Sequence, residues 1–192
     1  QPQGTMYNLC ICRPTGFKLE APDVGTWLLQ LGFALRAFPE IEHIDTHNVS
    51  NPRILMMRNR AVQYAQEQGS THVLFIDPDM IPDRYVSLNT DGRPIGKVQP
   101  FFPTAWQMAK KYPGNVWAAP YVGCPPHHPI HVFTANQEKR LTRVDHATAG
   151  KLEGWTEVEA VGTGLMLIDM AVFAKMEPPY FNDAYHDKTH TD

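Results

Sequence analysis

Two aspartates, Asp77 and Asp79, are the first residues in this sequence whose types and spacing could do chemistry. They follow residues 71–76, a run of strand-forming residues typical of a strand buried on both faces of a sheet. Pro78 and Pro82 cannot donate to a strand ladder, so the strand must stop here. Carboxylates this close repel each other, and Mg²⁺ or Mn²⁺ relieves that repulsion while bridging to phosphate oxygens. The spacing indicates a metal site at the carboxyl end of a central strand; a plain turn whose aspartates cap backbone amides is the alternative.

Three arginines, Arg53, Arg58 and Arg60, crowd the first half of a helix predicted just before this strand. That helix opens after Asn51-Pro52 and ends before Gly69. Cations are disfavoured near a helix N-terminus, where the macrodipole is positive. Guanidinium groups bind phosphate bidentately, so the cluster is interpreted as a phosphate or nucleotide clamp, with a solvated basic face as the alternative.

The first predicted strand, residues 6–12, is broken by Arg13-Pro14-Thr15-Gly16. In a doubly wound sheet the loop after the first strand commonly meets a nucleotide, although a plain turn would read the same way. Residues 41–49 form a weaker second strand, with Asp45 near its end. A helix spanning residues 104–112, with Thr104 as its N-cap, leads into a strand at residues 116–122.

Gly162-Thr163-Gly164 interrupts a β-rich run between strands predicted at residues 156–161 and 165–168. Glycine weakens a strand interior, so something must require the missing Cβ atoms. A bulge with positive φ, a ligand lying against the backbone and close packing of a neighbouring helix are the three explanations. Residues 130–134 and 140–144 add a small antiparallel excursion.

Length and composition indicate one α/β domain spanning residues 1–192, which we expect to be truncated at its C-terminus. The net charge of −3 and the lack of a basic tract argue against a nucleic-acid polymer as partner. Cys10 and Cys12 alternate with apolar residues and are predicted to be core thiols of a reducing compartment, which suggests a cytoplasmic protein. No apolar run is long enough for a transmembrane helix.

Histidines provide a second kind of candidate metal ligand. His186 and His190 have the i, i+4 spacing that could direct both at one zinc, but no glutamate follows His186 and no cysteine framework accompanies the pair. We reject a structural zinc on these grounds. His190 could instead complete an oxygen-rich site begun by Asp79.

With these residues laid out, the chain resembles glycosyltransferases of the GT-A fold, in particular bacterial and phage members. The resemblance covers residues 6–181. It is carried by Arg58-Asn59, the strand with its D-x-D motif at residues 71–80, residues 161–168 and Pro178-Pro179-Tyr180-Phe181. The implied fold is a Rossmann-like, mixed and mostly parallel sheet with flanking helices.

The resemblance implies metal-dependent transfer of a sugar from a nucleotide-sugar donor, such as a UDP- or GDP-sugar, to a glycan or other hydroxyl acceptor. Asp79 would ligate Mn²⁺ or Mg²⁺, Asp77 would contact the metal or the donor ribose, and His190 would complete the metal site. The implied donor-binding residues are Arg13, Pro14, Thr15, Gly16, Asp45, Arg58, Asp77, Gly162, Thr163 and Gly164.

The catalytic base is the point at which this sequence departs from the family. Such proteins usually continue into a segment with a further acidic pair, whereas this chain ends at Thr191-Asp192. An inverting enzyme would need that carboxylate, and Asp183, Asp187 and Asp192 are its candidates. A retaining enzyme would need no base there, and the sequence does not decide between the two.

Two other classes of protein fit part of the pattern. A nucleotidyltransferase would also place a D-x-D-type metal site at a strand end, but it needs a glycine-rich phosphate loop that Arg13-Pro14-Thr15-Gly16 matches poorly. A nucleotide-sugar-binding module that has lost catalysis would retain the same motifs.

Overall fold

The computed structural model describes residues 5–15, 22–49, 53–80, 100–121, 130–136, 140–149 and 154–182. Its strands are β1 (Tyr7–Pro14), β2 (Ile41–Val49), β3 (His72–Ile76), β4 (Val116–Ala118), β5 (Val132–Ala135), β6 (Leu141–Arg143), β7 (Ala160–Val161) and β8 (Leu165–Asp169). Its helices are α1 (Pro22–Leu35), α2 (Ile54–Glu67), α3 (Phe101–Lys111), α4 (His146–Ala149) and α5 (Met170–Phe173).

The main sheet has five strands in the order β2-β1-β3-β8-β4. Strand β1 runs parallel to both β2 and β3, whereas β8 is antiparallel to both β3 and β4. Four of the five strands therefore share one direction, and the predicted mixed α/β architecture is confirmed. A separate antiparallel sheet, β6-β5-β7, includes the predicted excursion.

The side chains of the main sheet alternate between two buried faces, as the period of a strand requires. On one face, alternate residues of β1, β3 and β8 pack against Trp27 of α1 and Trp106 of α3. On the other face, Cys10, Cys12 and Phe75 pack against α2 and α5. Both faces are thus covered by helices, as an apolar central strand such as β3 predicts.

Cys10 and Cys12 are free thiols with no solvent exposure, as predicted for core residues. Their Sγ atoms are 3.5 Å apart on the same face of β1. The contact with Cys10 and burial both raise the pKa of the Cys12 thiol, so it stays protonated. Since the thiolate is the reactive form, these cysteines act as packing residues.

Helix α2 connects the carboxyl end of β2 to the start of β3, so its first turns lie at the edge where β1, β2 and β3 end. We call this edge the carboxyl edge. Gly69, with φ of +68°, follows α2 as the predicted stop. Helix α3 begins at Phe101 rather than at Thr104, so Thr104 lies inside the helix. Its hydroxyl donates to the Pro100 carbonyl at 2.6 Å instead of capping the helix. Among the helices in the described ranges, none combines the length and apolar character needed to cross a membrane.

His72 is buried at the start of β3 and gives the fold a pH-dependent stability. Its ring contacts Tyr7 and Trp106 edge-on, with centroids 5.6 and 4.9 Å away. Its Nε2 has no hydrogen-bond partner among the described residues. Burial lowers the pKa of His72, and the charge of Asp169 offsets only part of that effect.

We expect the melting temperature to fall as pH drops below about 6.5, the ordinary histidine pKa. Below that pH the unfolded chain binds a proton that the folded chain does not. The free energy of unfolding then falls by about 1.4 kcal/mol per pH unit until the pKa of His72 in the folded chain is reached. Thermal melts of wild type and His72→Phe from pH 8 to 5 test this. The variant should show a shallower decline, with the remainder due in part to His47, whose pKa burial also lowers. Parallel profiles would contradict the assignment.

Candidate active site

The D-x-D segment forms a turn at the carboxyl end of β3. Strand β3 ends at Ile76, and the Met80 amide donates to the Asp77 carbonyl at 3.1 Å across the turn. The Asp77 amide donates to the Gly164 carbonyl at 2.8 Å. Two motifs that are far apart in the sequence, the aspartate turn and Gly162-Thr163-Gly164, therefore meet at the carboxyl edge.

Arg58 holds the carboxylate of Asp77. Its Nη2 lies 2.9 Å from both Oδ1 and Oδ2 of Asp77, and Arg58 is only 7% exposed. The guanidinium thus neutralises a carboxylate that has little access to water. A solvated basic face is therefore wrong for Arg58, although Arg53 and Arg60 are exposed as that explanation requires. In the structure Nη2 of Arg58 binds a carboxylate of this chain, and the role of the arginine cluster as a phosphate or nucleotide clamp stays a prediction.

Asp79 is exposed in the turn, whereas the side chain of Asp77 is only 15% exposed. The described residues contain no group of three histidine, cysteine, aspartate or glutamate side chains that could enclose a metal ion. A Mg²⁺-type site needs only one or two carboxylates when substrate phosphates supply further oxygens. Asp79 fits such a cation. Asp77 fits it less well, because both of its oxygens already accept from a cationic guanidinium.

Gly162 and Gly164 receive the ring of Tyr121. A Cβ at Gly162 would lie 2.5 Å from Cε1 and from the hydroxyl oxygen of Tyr121. A Cβ at Gly164 would lie 2.6 Å from Sδ of Met80 and 3.0 Å from Cε1 of Tyr121. Neither glycine has a positive φ, so the predicted strained bulge is wrong. The close neighbours are side chains that follow β3 and β4, not a helix.

Tyr121 and His131 are two site residues that the sequence analysis missed. Their rings stack with centroids 4.8 Å apart and an interplanar angle of 24°. The His131 amide donates to the Tyr121 carbonyl at 3.0 Å, and the Gly162 amide donates to the His131 carbonyl at 2.9 Å. The strand predicted at residues 116–122 is shorter in the structure, where β4 ends at Ala118. Tyr121 therefore lies beyond the strand. The sequence signal for this contact is an aromatic residue near the end of a predicted strand, together with two glycines elsewhere in the chain that require a close neighbour.

Asn59, the neighbour of Arg58, fixes the segment after α5. Its Nδ2 donates to the Phe181 carbonyl at 2.7 Å, and its Oδ1 accepts from the Phe181 amide at 3.1 Å. The Phe181 ring in turn contacts Phe75, two residues before Asp77. Consecutive residues of α2 therefore position both the aspartate turn and the Pro-Pro-Tyr-Phe segment.

The register places some of the other predicted donor-binding residues at the same edge. Arg13, Pro14 and Thr15 lie at the end of β1, since Cys12 pairs with Phe75 of β3. Asp45 does not reach the edge. It pairs with Cys10, four residues before the end of β2, and contacts His43 at 3.2 Å. Asp45 is thus mid-strand, and its predicted contact with a donor is not favoured by this position.

Five predicted site residues lie outside the described ranges: Gly16, Asp183, Asp187, His190 and Asp192. Thr163 is described and lies between the two glycines that Tyr121 covers. A groove of about 540 Å³ lies on the outer side of α2, between Arg60, Gln63 and Pro178-Pro179-Tyr180. Apart from Asn59, none of the site residues discussed above lines it.

We expect Gly162→Ala to lower the free energy of unfolding by about 1–3 kcal/mol, the usual cost of overpacking. The added methyl would meet a stacked, backbone-linked aromatic ring that cannot easily move. Gly164→Ala should cost less, because the flexible Met80 side chain can rotate away. Gly32→Ala is the control: a Cβ there has nothing within 4 Å, and alanine in the interior of α1 should leave the free energy of unfolding unchanged or raise it by up to about 1 kcal/mol. Urea denaturation of the three variants provides the measurement, and equal stabilities would contradict the packing seen around Gly162.

Comparison with known proteins supports the fold alone. No protein family and no curated protein matches the sequence. The chain resembles the crystal structure of A197 from STIV, with a TM-score of 0.55 and 15% sequence identity. The match covers 93% of this chain and 73% of that one. At this identity the match bears on the fold alone, and what it supports is the mixed α/β architecture.

Proposed function

We propose that this protein is a metal-dependent glycosyltransferase of the GT-A type, which moves a sugar from a nucleotide-sugar donor to a hydroxyl group of a glycan or other acceptor. The observation that carries the proposal is the buried Arg58–Asp77 pair beside the exposed Asp79. It holds one carboxylate rigidly and leaves the other accessible at the edge where open α/β sheets bind ligands.

The two aspartates have separate roles in this proposal. Asp79, with oxygens of the donor diphosphate, would hold Mn²⁺ or Mg²⁺, and the bound cation would supply charge stabilisation for the departing diphosphate. Asp77 is oriented by Arg58 and would accept hydrogen bonds from the donor ribose. Arg58 is a positioning residue because it acts through Asp77. Nη2 of Arg58 donates to Asp77. The buried Nε has no hydrogen-bond partner among the described residues.

The neighbouring strand end completes the proposed donor site. Arg13 is the second-last residue of β1 and Thr15 follows that strand, so both lie at the carboxyl edge that contains the aspartate turn. A cation at this position favours a phosphate or an electron-rich base edge. Acceptor activation stays a prediction: an inverting mechanism would use Asp183, Asp187 or Asp192, and Asn59 fixes the chain only as far as Phe181.

A single assay separates this proposal from its two competitors. The protein is incubated with a panel of UDP- and GDP-sugars, Mn²⁺ and hydroxyl acceptors, and the released products are identified. A glycosyltransferase releases nucleoside diphosphate. A nucleotidyltransferase, supplied with nucleoside triphosphate and sugar phosphate, releases pyrophosphate. A binding module shows donor affinity by calorimetry without either product, and the absence of any nucleotide affinity would contradict all three.

A further inference from the structure

The position of Tyr121 is determined by contacts on three sides. Its ring lies over Gly162 and Gly164 and stacks on His131, and its backbone carbonyl accepts from the amide of His131, the residue before β5. The absence of a Cβ at Gly162 and Gly164 therefore leaves room for this ring. The Gly164 carbonyl accepts a hydrogen bond from the Asp77 amide. An aromatic side chain fixed in this way loses little further conformational entropy on binding a ligand.

The hydroxyl of Tyr121 makes no hydrogen bond to any residue in the described ranges, although the side chain is half-buried. The hydroxyl is not one of the fully buried polar atoms of the described residues, so it is open to water or to a ligand. Burial, and then the charges of Asp77 and Asp79, raise the pKa of Tyr121, with Arg58 opposing them. A tyrosine phenol is protonated at neutral pH without any such shift and can donate a hydrogen bond.

We propose that Tyr121 is a ligand-binding residue whose hydroxyl donates to a phosphate oxygen of the nucleotide diphosphate. A neutral hydrogen-bond donor at this point adds a favourable contact to a site that otherwise presents two carboxylates, Asp77 and Asp79, to an anionic ligand. A phosphate oxygen is the partner because it accepts hydrogen bonds, and a protonated phenol can donate one. This inference rests on the proposed function and adds a residue to its donor site.

The test is the affinity of Tyr121→Phe for UDP and GDP in the presence of Mn²⁺, measured by calorimetry. The variant retains the ring, so its melting temperature should equal that of wild type. Loss of one hydrogen bond to a charged group should raise the dissociation constant about tenfold to a hundredfold. Tyr112→Phe is the matched control, since Tyr112 is exposed at the far end of α3. The corresponding nucleosides, uridine and guanosine, should bind both proteins equally, because they lack the phosphates.

Each outcome decides between the inference and the function on which it rests. If wild type binds UDP or GDP and Tyr121→Phe binds equally well, the inference about Tyr121 is wrong and the proposed function survives. If the variant loses affinity for diphosphates and nucleosides alike, the phosphate assignment is wrong. If melting temperature falls while affinity stays unchanged, the hydroxyl is structural. If wild type binds neither nucleotide, the inference and the proposed function both fail.

Discussion

Arg58→Ala should lower the melting temperature by roughly 6–20 °C and abolish sugar transfer. Removing one partner of a buried ion pair costs about 3–5 kcal/mol, because the other charge loses its counter-charge in a poorly solvated place. In a domain of this size each kcal/mol corresponds to about 2–4 °C. Arg58 is 7% exposed and Asp77 is its partner through both oxygens, so this pair meets the condition.

Arg60→Ala is the matched control for this prediction. Arg60 is two residues away on the same helix, but it is exposed and contributes to the outer groove instead of the aspartate turn. Exposed substitutions usually change stability by less than about 0.5 kcal/mol. Equal effects of the two alanine variants on melting temperature would show that the Arg58–Asp77 pair does not stabilise the fold.

A double variant separates the stabilising role of the pair from its role in the site. Arg58→Met combined with Asp77→Leu removes both charges, and replacing a whole buried pair by hydrophobic groups of similar volume is often neutral. We expect the double variant to recover most of the stability that Arg58→Ala loses, while transfer stays undetectable because the Asp77 carboxylate is gone. Chemical denaturation and nucleoside diphosphate release, measured on all variants, test this. A double variant as unstable as Arg58→Ala would contradict it.

The elements of the fold could be predicted because their signals are local. The apolar run of β3 stops at Pro78, Gly69 follows α2, and Cys10 and Cys12 alternate along β1, all as the structure shows. The position of a helix start is harder, since Thr104 is a good N-cap residue yet lies inside α3. Its hydroxyl has a competing carbonyl partner one turn back, which residue type alone does not reveal.

The site itself depends on contacts that no local pattern contains. An arginine opposing the macrodipole of α2 was recognisable as unusual, but its carboxylate partner is set by how α2 packs on β3. The sequence predicts the correct strand for Asp45 but places the residue near the end of that strand. The structure has it mid-strand, because the parallel register with β1 decides which residues reach the carboxyl edge. The glycines at positions 162 and 164 were recognised as requiring a neighbour. That neighbour, Tyr121, follows a different strand and could not be named without the sheet order.

Asp79 differs from Asp77 in being exposed, and this makes its substitution the cleaner test of chemistry. The residue is exposed at the third position after the end of β3, and the turn around it is closed by backbone atoms of Asp77 and Met80. Replacing it should therefore leave the free energy of unfolding within about 0.5 kcal/mol of wild type. Any loss of function then comes from the carboxylate and not from the fold.

We expect Asp79→Ala to reduce transfer by about a hundredfold or more, since a cation's stabilisation of a departing diphosphate is worth several kcal/mol and each 1.4 kcal/mol is a factor of about ten. Calorimetry with UDP or GDP is the direct measurement. Wild type should bind more tightly with Mn²⁺ than with EDTA, and Asp79→Ala should bind equally weakly in both. Glu177→Ala, which removes an exposed carboxylate after α5, is the control and should behave as wild type. If Asp79→Ala keeps the Mn²⁺-dependent gain in affinity, the cation is not held by this turn. Because Arg58 already neutralises Asp77, such a result would remove the basis for metal binding at the carboxyl edge in the described part of the chain.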